Sequence, residues 1–437
     1  IEGILKAGQK YTLTETAVPN GYKYAEEITF EVGRDGKVQT VTMKDAPSQL
    51  TVSKKDLADL AEDLPGATFE VQDENGDVVR TVYNETLRWT TTADALVKTI
   101  TGLKDGSYKL VETKAPTGYT IAAPISFTVE KGKIYRSVDG EQAEIDTIAM
   151  EDQATEVIIS KTDITTGKEL PGATLQILKK VKAATDAGEE AETEEVVTTI
   201  YGEKLEWKST GEPKNIKGLP AGEYILRESA APDGYTVAAD VTFTVTDELK
   251  AVETVEMQDA PIETVISKVD MADTAKELPG ATLQILKKVT AEDGTTSEEI
   301  AVTVYGEKLQ WISGEEAKEI KGLPAGDYIL REIAAPSGYT IAKDVAFTVS
   351  NDSKVTNKAV MKDQATEVNI SKVDITNAEK ELPGATLQVM DKYGNEIVKT
   401  VYGEALKWVS GNEAKVIKGL PAGEYTLRET IAPAGYS

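Results

Sequence analysis

The chain has 437 residues, a length that corresponds to about three domains. Its formal net charge of −26 at pH 7 argues against nucleic acid or an anionic membrane surface as a partner. It contains no Cys and no His, which excludes disulfides and thiolate metal sites and removes the usual base of a hydrolase triad. We therefore expect no cofactor, no metal site and no enzyme acting on an external substrate.

The ends of the sequence carry no recognisable targeting signal. No apolar run approaches the roughly 20 residues of a membrane span, and Ile1 begins no signal peptide. Both ends lie inside a repeated unit. We therefore expect a fragment of a longer protein, with no membrane insertion in this part.

A repeated order of short motifs organises the chain. Each repeat has Ser-Lys-x-Asp, then Leu-Pro-Gly-Ala-Thr, then a strand ending in Glu-x-x-x-Pro-x-Gly-Tyr, then a closing Met-x-Asp. The first motif recurs every 104 to 107 residues, by subtraction of the positions Lys54, Lys161, Lys268 and Lys372. This period predicts three complete units. They span residues 48–153, 154–260 and 261–364, between a C-terminal part-unit (1–47) and an N-terminal part-unit (365–437).

The second complete unit shows the predicted elements most clearly. Short β-rich runs bounded by Gly, Pro, Asp and Asn follow one another, and no sustained helical period occurs. The predicted strands are Thr155 to Lys161, Ala173 to Lys180, Val196 to Trp207, Glu223 to Glu228, Val241 to Val245 and Val252 to Met257. The pattern predicts an all-β protein, a tandem array of antiparallel β-sandwich domains.

An acidic insert, residues 183–195, takes the place of a short turn in the last repeat. Its composition predicts a solvated hairpin tip. The acidic run is also a conceivable calcium site, but it lacks the alternating ligands and the glycine of a calcium loop.

Three charged residues in each complete unit are in phase with apolar residues of the same strand. Counting by twos, Glu112 follows Leu110, Lys54 follows Val52, and Asp152 follows a methionine. The sets are Lys54, Glu112 and Asp152; Lys161, Glu228 and Asp259; and Lys268, Glu332 and Asp363. Because an unpaired buried charge is very costly, we expect the members of each set to meet.

Two interpretations of these sets remain open from the residues alone. In the first, each set is a buried ion pair with a glutamate alongside it. In the second, burial favours the neutral forms, so the amine attacks the Asp carbonyl, the Glu relays protons and a water leaves. Holding the two groups in contact supplies about 7 to 11 kcal/mol of the barrier to such a reaction.

The combined order of motifs resembles the CnaB-type, or SpaA-type, prealbumin-like domains of Gram-positive surface adhesins and pilins. The resemblance covers essentially the whole chain. It implies a β-sandwich with an intramolecular isopeptide bond, promoted by a Glu, between a first-strand Lys and a last-strand Asn or Asp. Carried over, the bonds join Lys54 to Asp152 with Glu112, Lys161 to Asp259 with Glu228, and Lys268 to Asp363 with Glu332. Asp in place of Asn implies loss of water rather than ammonia.

The part-units depart from this pattern. Glu15 and Asp45 have no upstream Lys, whereas Lys372 and Glu429 have no downstream Asp. We expect no bond at either place within this chain.

The resemblance also implies a function and a location. The separation from each closing Asp to the next Lys is nine residues, which predicts short, similar linkers. Tension along the chain would then cross the covalent bonds, so we expect a stalk or shaft of a cell-wall-attached, extracellular protein that resists force and proteolysis. Its partners would be neighbouring domains, with any host or cell-surface ligand bound by regions outside this sequence.

Two other functions stay open. Sugar-binding repeats of an adhesin are one, because each repeat carries a Trp, but strand parity favours core packing. These residues are Trp89, Trp207, Trp311 and Trp408. A sortase-assembled pilus backbone is the other, although the sequence has no LPxTG signal and no clear pilin Lys motif.

Overall fold

A computed structural model describes residues 3–138, 140–184 and 190–437. Within these ranges every regular element is a β-strand, and no helix has the length and apolar character needed to cross a membrane. The five residues 185–189 of the acidic insert lie outside the described residues, so the calcium hypothesis there is untested.

The first part-unit and first complete unit contain thirteen strands. They are β1 (Lys10–Leu13), β2 (Tyr22–Lys23), β3 (Ile28–Glu31), β4 (Ala46–Pro47), β5 (Gln49–Asp56), β6 (Thr68–Gln72), β7 (Arg88–Thr90), β8 (Val97–Thr101), β9 (Gly106–Lys114), β10 (Ile125–Glu130), β11 (Lys133–Val138), β12 (Glu141–Ile145) and β13 (Thr147–Asp152). One three-stranded sheet has the order β13-β5-β8, and a larger sheet has the order β12-β11-β10-β9-β6-β7.

The second complete unit repeats this arrangement. Its strands are β14 (Glu156–Asp163), β15 (Thr174–Ala184), β16 (Glu190–Val196), β17 (Glu206–Lys208), β18 (Lys214–Lys217), β19 (Gly222–Ala230), β20 (Val241–Val245) and β21 (Glu253–Asp259). The small sheet has the order β18-β14-β21. The larger one has the order β16-β15-β19-β20, with β17 also paired to β15.

The third complete unit and last part-unit follow. Their strands are β22 (Glu263–Asp270), β23 (Thr282–Thr290), β24 (Thr296–Ile300), β25 (Gln310–Ile312), β26 (Lys318–Lys321), β27 (Gly326–Ala334), β28 (Val345–Val349), β29 (Asn357–Asp363), β30 (Glu367–Ile370), β31 (Val373–Asp374), β32 (Asn377–Glu381), β33 (Thr386–Asp391), β34 (Lys407–Val409), β35 (Lys415–Lys418) and β36 (Tyr425–Ile431). The small sheets are β26-β22-β29 and, without a closing strand, β30-β35.

The two sheets of each complete unit face each other across one hydrophobic core. In the first complete unit, Leu50 and Ile148 of the small sheet share a buried cluster with Phe69 and Leu110 of the large one. Equivalent clusters fill the second and third complete units. The all-β, tandem sandwich prediction is confirmed.

Sheet pairing shows one feature that periodicity does not reveal. The first and last strands of each complete unit, such as β5 and β13, are parallel neighbours, whereas the other strand pairs are antiparallel. The chain therefore enters and leaves the unit along adjacent strands that run in the same direction.

The strand boundaries differ from the predicted ones in two places. Only the ends of the predicted strand from Val196 to Trp207 lie in strands, in β16 and β17, because turns with a positive-φ Gly202 occupy the residues between them. The strand β18 is also absent from the prediction, since its residues Lys-Asn-Ile-Lys carry one apolar side chain among three polar ones. The arms of the predicted acidic hairpin, β15 and β16, pair antiparallel.

Candidate functional site

The three predicted charged residues of each complete unit meet inside the sandwich. Lys54 on β5 lies opposite Met150 of the parallel strand β13. Asp152 comes two residues later, so its side chain projects from the same face and reaches the lysine diagonally. The lysines of the second and third complete units have the same register, opposite Met257 and Met361.

Each lysine contacts both carboxylates. Lys54 Nζ donates a hydrogen bond to Asp152 Oδ1, and Lys161 and Lys268 do the same to their aspartates. The glutamate approaches from β9 of the facing sheet, with Glu112 Oε1 3.0 Å from Lys54 Nζ. The corresponding distances are 3.2 Å for Glu228 and 2.8 Å for Glu332.

Burial of these clusters is nearly complete. The lysine side chains are at most 2% exposed and rank among the largest fully buried side chains of the chain. A lysine surrounded by core residues is stable only when its charge is paired or absent. The clusters are therefore built for pairing or for neutral forms, not for solvent contact.

The second oxygen of each glutamate is held by a backbone amide. Ala122 N donates to Glu112 Oε2 at 2.7 Å, Ala238 N to Glu228 Oε2 at 2.7 Å, and Ala342 N to Glu332 Oε2 at 2.6 Å. These amides, ten residues after each glutamate, were not predicted from the sequence. They fix the carboxyl so that its other oxygen points at the lysine and the aspartate.

One oxygen of each aspartate has no partner. Asp152 Oδ2, Asp259 Oδ2 and Asp363 Oδ2 are buried without a hydrogen bond. The lysine-facing Oε1 atoms of the three glutamates also lack hydrogen-bond geometry, although they lie close to Nζ. A buried carboxyl with a free oxygen is better satisfied when protonated or when that oxygen is lost.

Burial is the main influence on the acidity of the aspartates. It raises the pKa of Asp152 to about 8, of Asp259 to about 7 and of Asp363 to about 6, against the opposing effect of the adjacent lysine. The neighbouring glutamate raises these pKa values further. Burial therefore shifts each aspartate towards its neutral carboxylic acid form, compared with an exposed aspartate.

The part-units hold the same residue types in other surroundings. Lys372 Nζ lies 3.2 Å from Glu429 Oε2, and both side chains are about 30% exposed (28% and 30%). Glu15 keeps its amide contact, since Ala25 N donates to Glu15 Oε2 at 3.0 Å. Asp45 contacts no lysine among the described residues.

The four tryptophans pack against the cores. Trp89 packs against Phe69 with ring centroids 5.3 Å apart and ring planes tilted by 31°, and Trp207 lies opposite Leu175. All four are partly buried members of their clusters: Trp89, Trp207, Trp311 and Trp408. The packing role predicted from strand parity is confirmed.

One known family of domains matches the chain along nearly its whole length. The sequence profile of SpaA, a prealbumin-like fold domain, matches residues 3–47, 48–143, 155–261, 263–365 and 366–437. No curated protein matches the sequence.

Solved structures of similar fold share little sequence with the chain. The Bacillus anthracis TIE protein is 18% identical, with a TM-score of 0.34 over 99% of this chain and 71% of that one. BcpA, the major pilin subunit of Bacillus cereus, is 16% identical, with a TM-score of 0.30 over 73% and 99%. The full-length major pilin SpaD from Corynebacterium diphtheriae is 16% identical, with a TM-score of 0.27 over 73% and 98%.

Proposed function

The chain belongs to the SpaA family of prealbumin-like fold domains, and from this premise we propose that each complete unit closes an amide bond between its buried Lys and Asp. The chain then acts as a load-bearing segment of a bacterial surface stalk. The observation that carries the proposal is the buried contact of a first-strand Lys with a last-strand Asp and with a Glu of the facing sheet, repeated in three units.

The reaction is a condensation within one unit. The neutral Nζ of Lys54 attacks Cγ of Asp152, a C–N bond forms and one C–O bond breaks. The departing hydroxyl of the protonated aspartic acid takes up the proton that the amine loses and leaves as water, so no other reactant is needed. The aspartate oxygen without a hydrogen bond is suited to be this leaving group, because its loss costs no existing contact.

The glutamate is suited to move the protons. Glu112 Oε1 lies within reach of the lysine nitrogen, while the Ala122 amide holds the other oxygen and stops the carboxyl from turning away. It takes a proton from the attacking amine and returns one to the leaving oxygen. It is unchanged at the end, so each unit reacts once and no external substrate is turned over.

The parallel pairing explains why such a bond bears load. Tension enters a unit at the start of its first strand and leaves at the end of its last strand. Because β14 and β21 are parallel neighbours, this tension shears them past each other. A bond from Lys161 to Asp259 joins the two strands directly, so the roughly 100 residues between them carry no force.

The same bond also resists unfolding and proteolysis. By the chain-entropy argument used for disulfides, a loop of about 100 residues gains about 5 kcal/mol of stability. Units joined by short linkers form a shaft that presents another region of the protein away from the cell. We therefore place the chain outside the cell, attached to the wall of a Gram-positive bacterium, with neighbouring units as its direct partners.

Intact mass measurement tests the chemistry. We expect the purified chain to be lighter than its sequence by three waters, one for each complete unit. Glu112→Gln keeps the shape of the side chain but cannot relay protons, so it should restore one water. Peptides that contain Lys54 and Asp152 should then separate after digestion.

Two matched variants serve as controls. Glu429→Gln, in the last part-unit, should leave the three-water loss unchanged, and Lys372→Met should do the same. An unmodified chain mass would contradict the proposal and leave the clusters as buried ion pairs.

A further inference from the structure

A second set of repeated residues joins each unit to the next. On the preceding unit, this set contains the Pro-x-Gly-Tyr turn and the Asp of Ser-Lys-x-Asp. On the following unit, it contains a turn with the sequence Val/Ile-Tyr. We call the latter the tyrosine turn. Its members are Val82 and Tyr83, Ile200 and Tyr201, Val304 and Tyr305, and Val401 and Tyr402.

Two tyrosine hydroxyls from different units share one carboxylate. Between the second and third complete units, Tyr235 and Tyr305 each donate to Asp163 Oδ2 at 3.1 Å. The next junction repeats this contact, with Tyr339 and Tyr402 donating to Asp270 Oδ2 at 2.8 and 2.9 Å. One tyrosine of each pair belongs to the preceding unit and the other to the following unit.

The carboxylates are suited to accept these bonds at neutral pH. Burial acts to raise the pKa of Asp163, but the Thr165 amide, the Thr166 hydroxyl and the two tyrosines outweigh it and lower the pKa. Asp270 has a lowered pKa for the same kinds of reason. At the first junction, Tyr119 donates to Asp56 Oδ2 at 2.9 Å, and burial, together with the charge of Asp56, raises the pKa of Tyr201 of the following unit.

An apolar side chain of the following unit occupies the space that a side chain would take at a glycine of the preceding turn. Gly234 has φ +80°, and a Cβ there would lie 2.5 Å from Val304 Cγ1 and 3.0 Å from the carbonyl oxygen of Gly322. Gly338 has the same relation to Val401, and Gly118 to Ile200. By contrast, Gly435 has no such turn against it, and nothing lies within 4 Å of its Cβ position. Glycine at the filled positions provides the space for the next unit.

The linker is hydrogen-bonded to both units. Ile262 N donates to Gly234 O of the preceding unit at 2.8 Å, and Gly322 N of the following unit donates to Ile262 O at 2.8 Å. Thr366 makes the same pair of bonds with Gly338 and Gly419, at 2.9 and 2.8 Å. A linker with both sides of its backbone engaged cannot rotate as a free tether.

We propose that this joint is a specific interaction surface that locks each unit onto the tyrosine turn of the next unit in one orientation. Its partner is therefore the following unit of the same chain, bound through a shared Asp, a glycine pocket and a bonded linker. The joint makes the array a rod with a fixed twist. It uses none of the buried lysines, so it stands whether or not the amide bonds form.

The distance between two spin labels on neighbouring units tests the joint. The chain has no native Cys, so Thr242→Cys on β20 and Ala346→Cys on β28 place single nitroxides at equivalent exposed positions. We expect double electron–electron resonance to give one narrow distance distribution. Val304→Ala combined with Tyr305→Phe should broaden it at least twofold, because the pocket contact and the shared hydrogen bond are both lost.

The preceding junction supplies the matched control. Ile200→Ala with Tyr201→Phe alters the joint between the first and second complete units and should leave this distribution unchanged. Tyr305→Phe alone removes one hydroxyl from an exposed side chain and should broaden the distribution by a smaller amount, which covers the case in which the double variant misfolds. A broad distribution in the parent chain, or equal broadening by the control, would overturn the proposal.

Discussion

The second complete unit and the last part-unit carry the same lysine and glutamate in different surroundings. Lys161 is 2% exposed and contacts Asp259 and Glu228, whereas Lys372 is 28% exposed and, in the described part of the chain, forms an ion pair with Glu429. The first strands pair in the same register with the strand on one side, β14 with β18 and β30 with β35. What differs is the other side of the first strand, where β21 closes the second unit but none of the described residues forms a closing strand for the part-unit.

The comparison separates local from long-range causes. The backbone amides of both lysines are held by a nearby glutamate, Glu169 at 3.1 Å and Glu381 at 3.0 Å, so the local turn forms without a closing strand. The lysine side chain, by contrast, is buried only in the unit that has a closing strand. The closing strand therefore supplies both the aspartate and the apolar cover that removes water from the amine.

The largest expected effect comes from replacing the lysine itself. Lys161→Met keeps the side-chain volume but removes the amine, and it leaves Asp259 and Glu228 without a cation. We expect the second unit to lose about 5 kcal/mol of unfolding free energy, mainly through loss of the cross-link. Urea unfolding followed by hydrogen exchange of peptides from each unit measures this change, with the third unit as an internal reference.

The matched substitution in the part-unit should have little effect. Lys372→Met removes a partly exposed ion pair, for which we expect a change of about 1 kcal/mol or less in the part-unit. Equal losses at the two positions would show that burial and closure by β21 do not matter.

The next effect is the pH dependence of bond closure. The reactive pair, a neutral amine beside a protonated aspartic acid, holds one titratable proton. A pair with a charged amine and a protonated acid holds two titratable protons and does not react. Closure should therefore slow about tenfold for each pH unit below the pKa of the aspartate and level off above it, near 8, 7 and 6 in chain order.

The three units provide their own comparison for this prediction. Chains kept unreacted in denaturant are diluted into folding buffers from pH 5 upwards, and digested samples are weighed over time. The pH above which the closure rate levels off should be highest for the first unit and lowest for the third. A plateau that begins at the same pH in all three units, or faster closure at lower pH, would contradict the role assigned to the aspartates.

The smallest expected effect is in the backbone of the first strands. In the second unit β14 lies between two strands, whereas β30 has one neighbour and an open edge. Hydrogen exchange should be at least about tenfold slower in a peptide covering 156–163 than in one covering 367–374, because only the former has bonded amides on both edges. Similar rates would mean that another element covers β30.

Much of the fold follows from local sequence patterns. Period-two alternation, turn residues and the recurring motif order predict the tandem β-sandwiches, and strand parity predicts that the tryptophans pack in the cores. The same parity placed Lys54, Glu112 and Asp152 on apolar faces, and the structure brings these three together. Repetition made these polar residues conspicuous, because an accidental polar residue would not recur in register.

Other features depend on contacts between distant parts of the chain. Nothing in β14 or β21 alone indicates that they pair in parallel, since periodicity fixes the face of a side chain but not its neighbouring strand. The orientation of Glu112 by the Ala122 amide likewise follows from how a loop folds back. The tyrosine turn appears as a repeated Val/Ile-Tyr, but its contact with Asp163 exists only once two units are docked.

The sequence by itself determined which residues lie in the core and which charged residues lie among them, because hydrophobic periodicity is a local property. Only the tertiary structure decided that the first and last strands of a unit pair in parallel, how the glutamate is held and how one unit contacts the next. These depend on strands about 100 residues apart becoming neighbours, which is set by the packing of two whole sheets and not by any single segment.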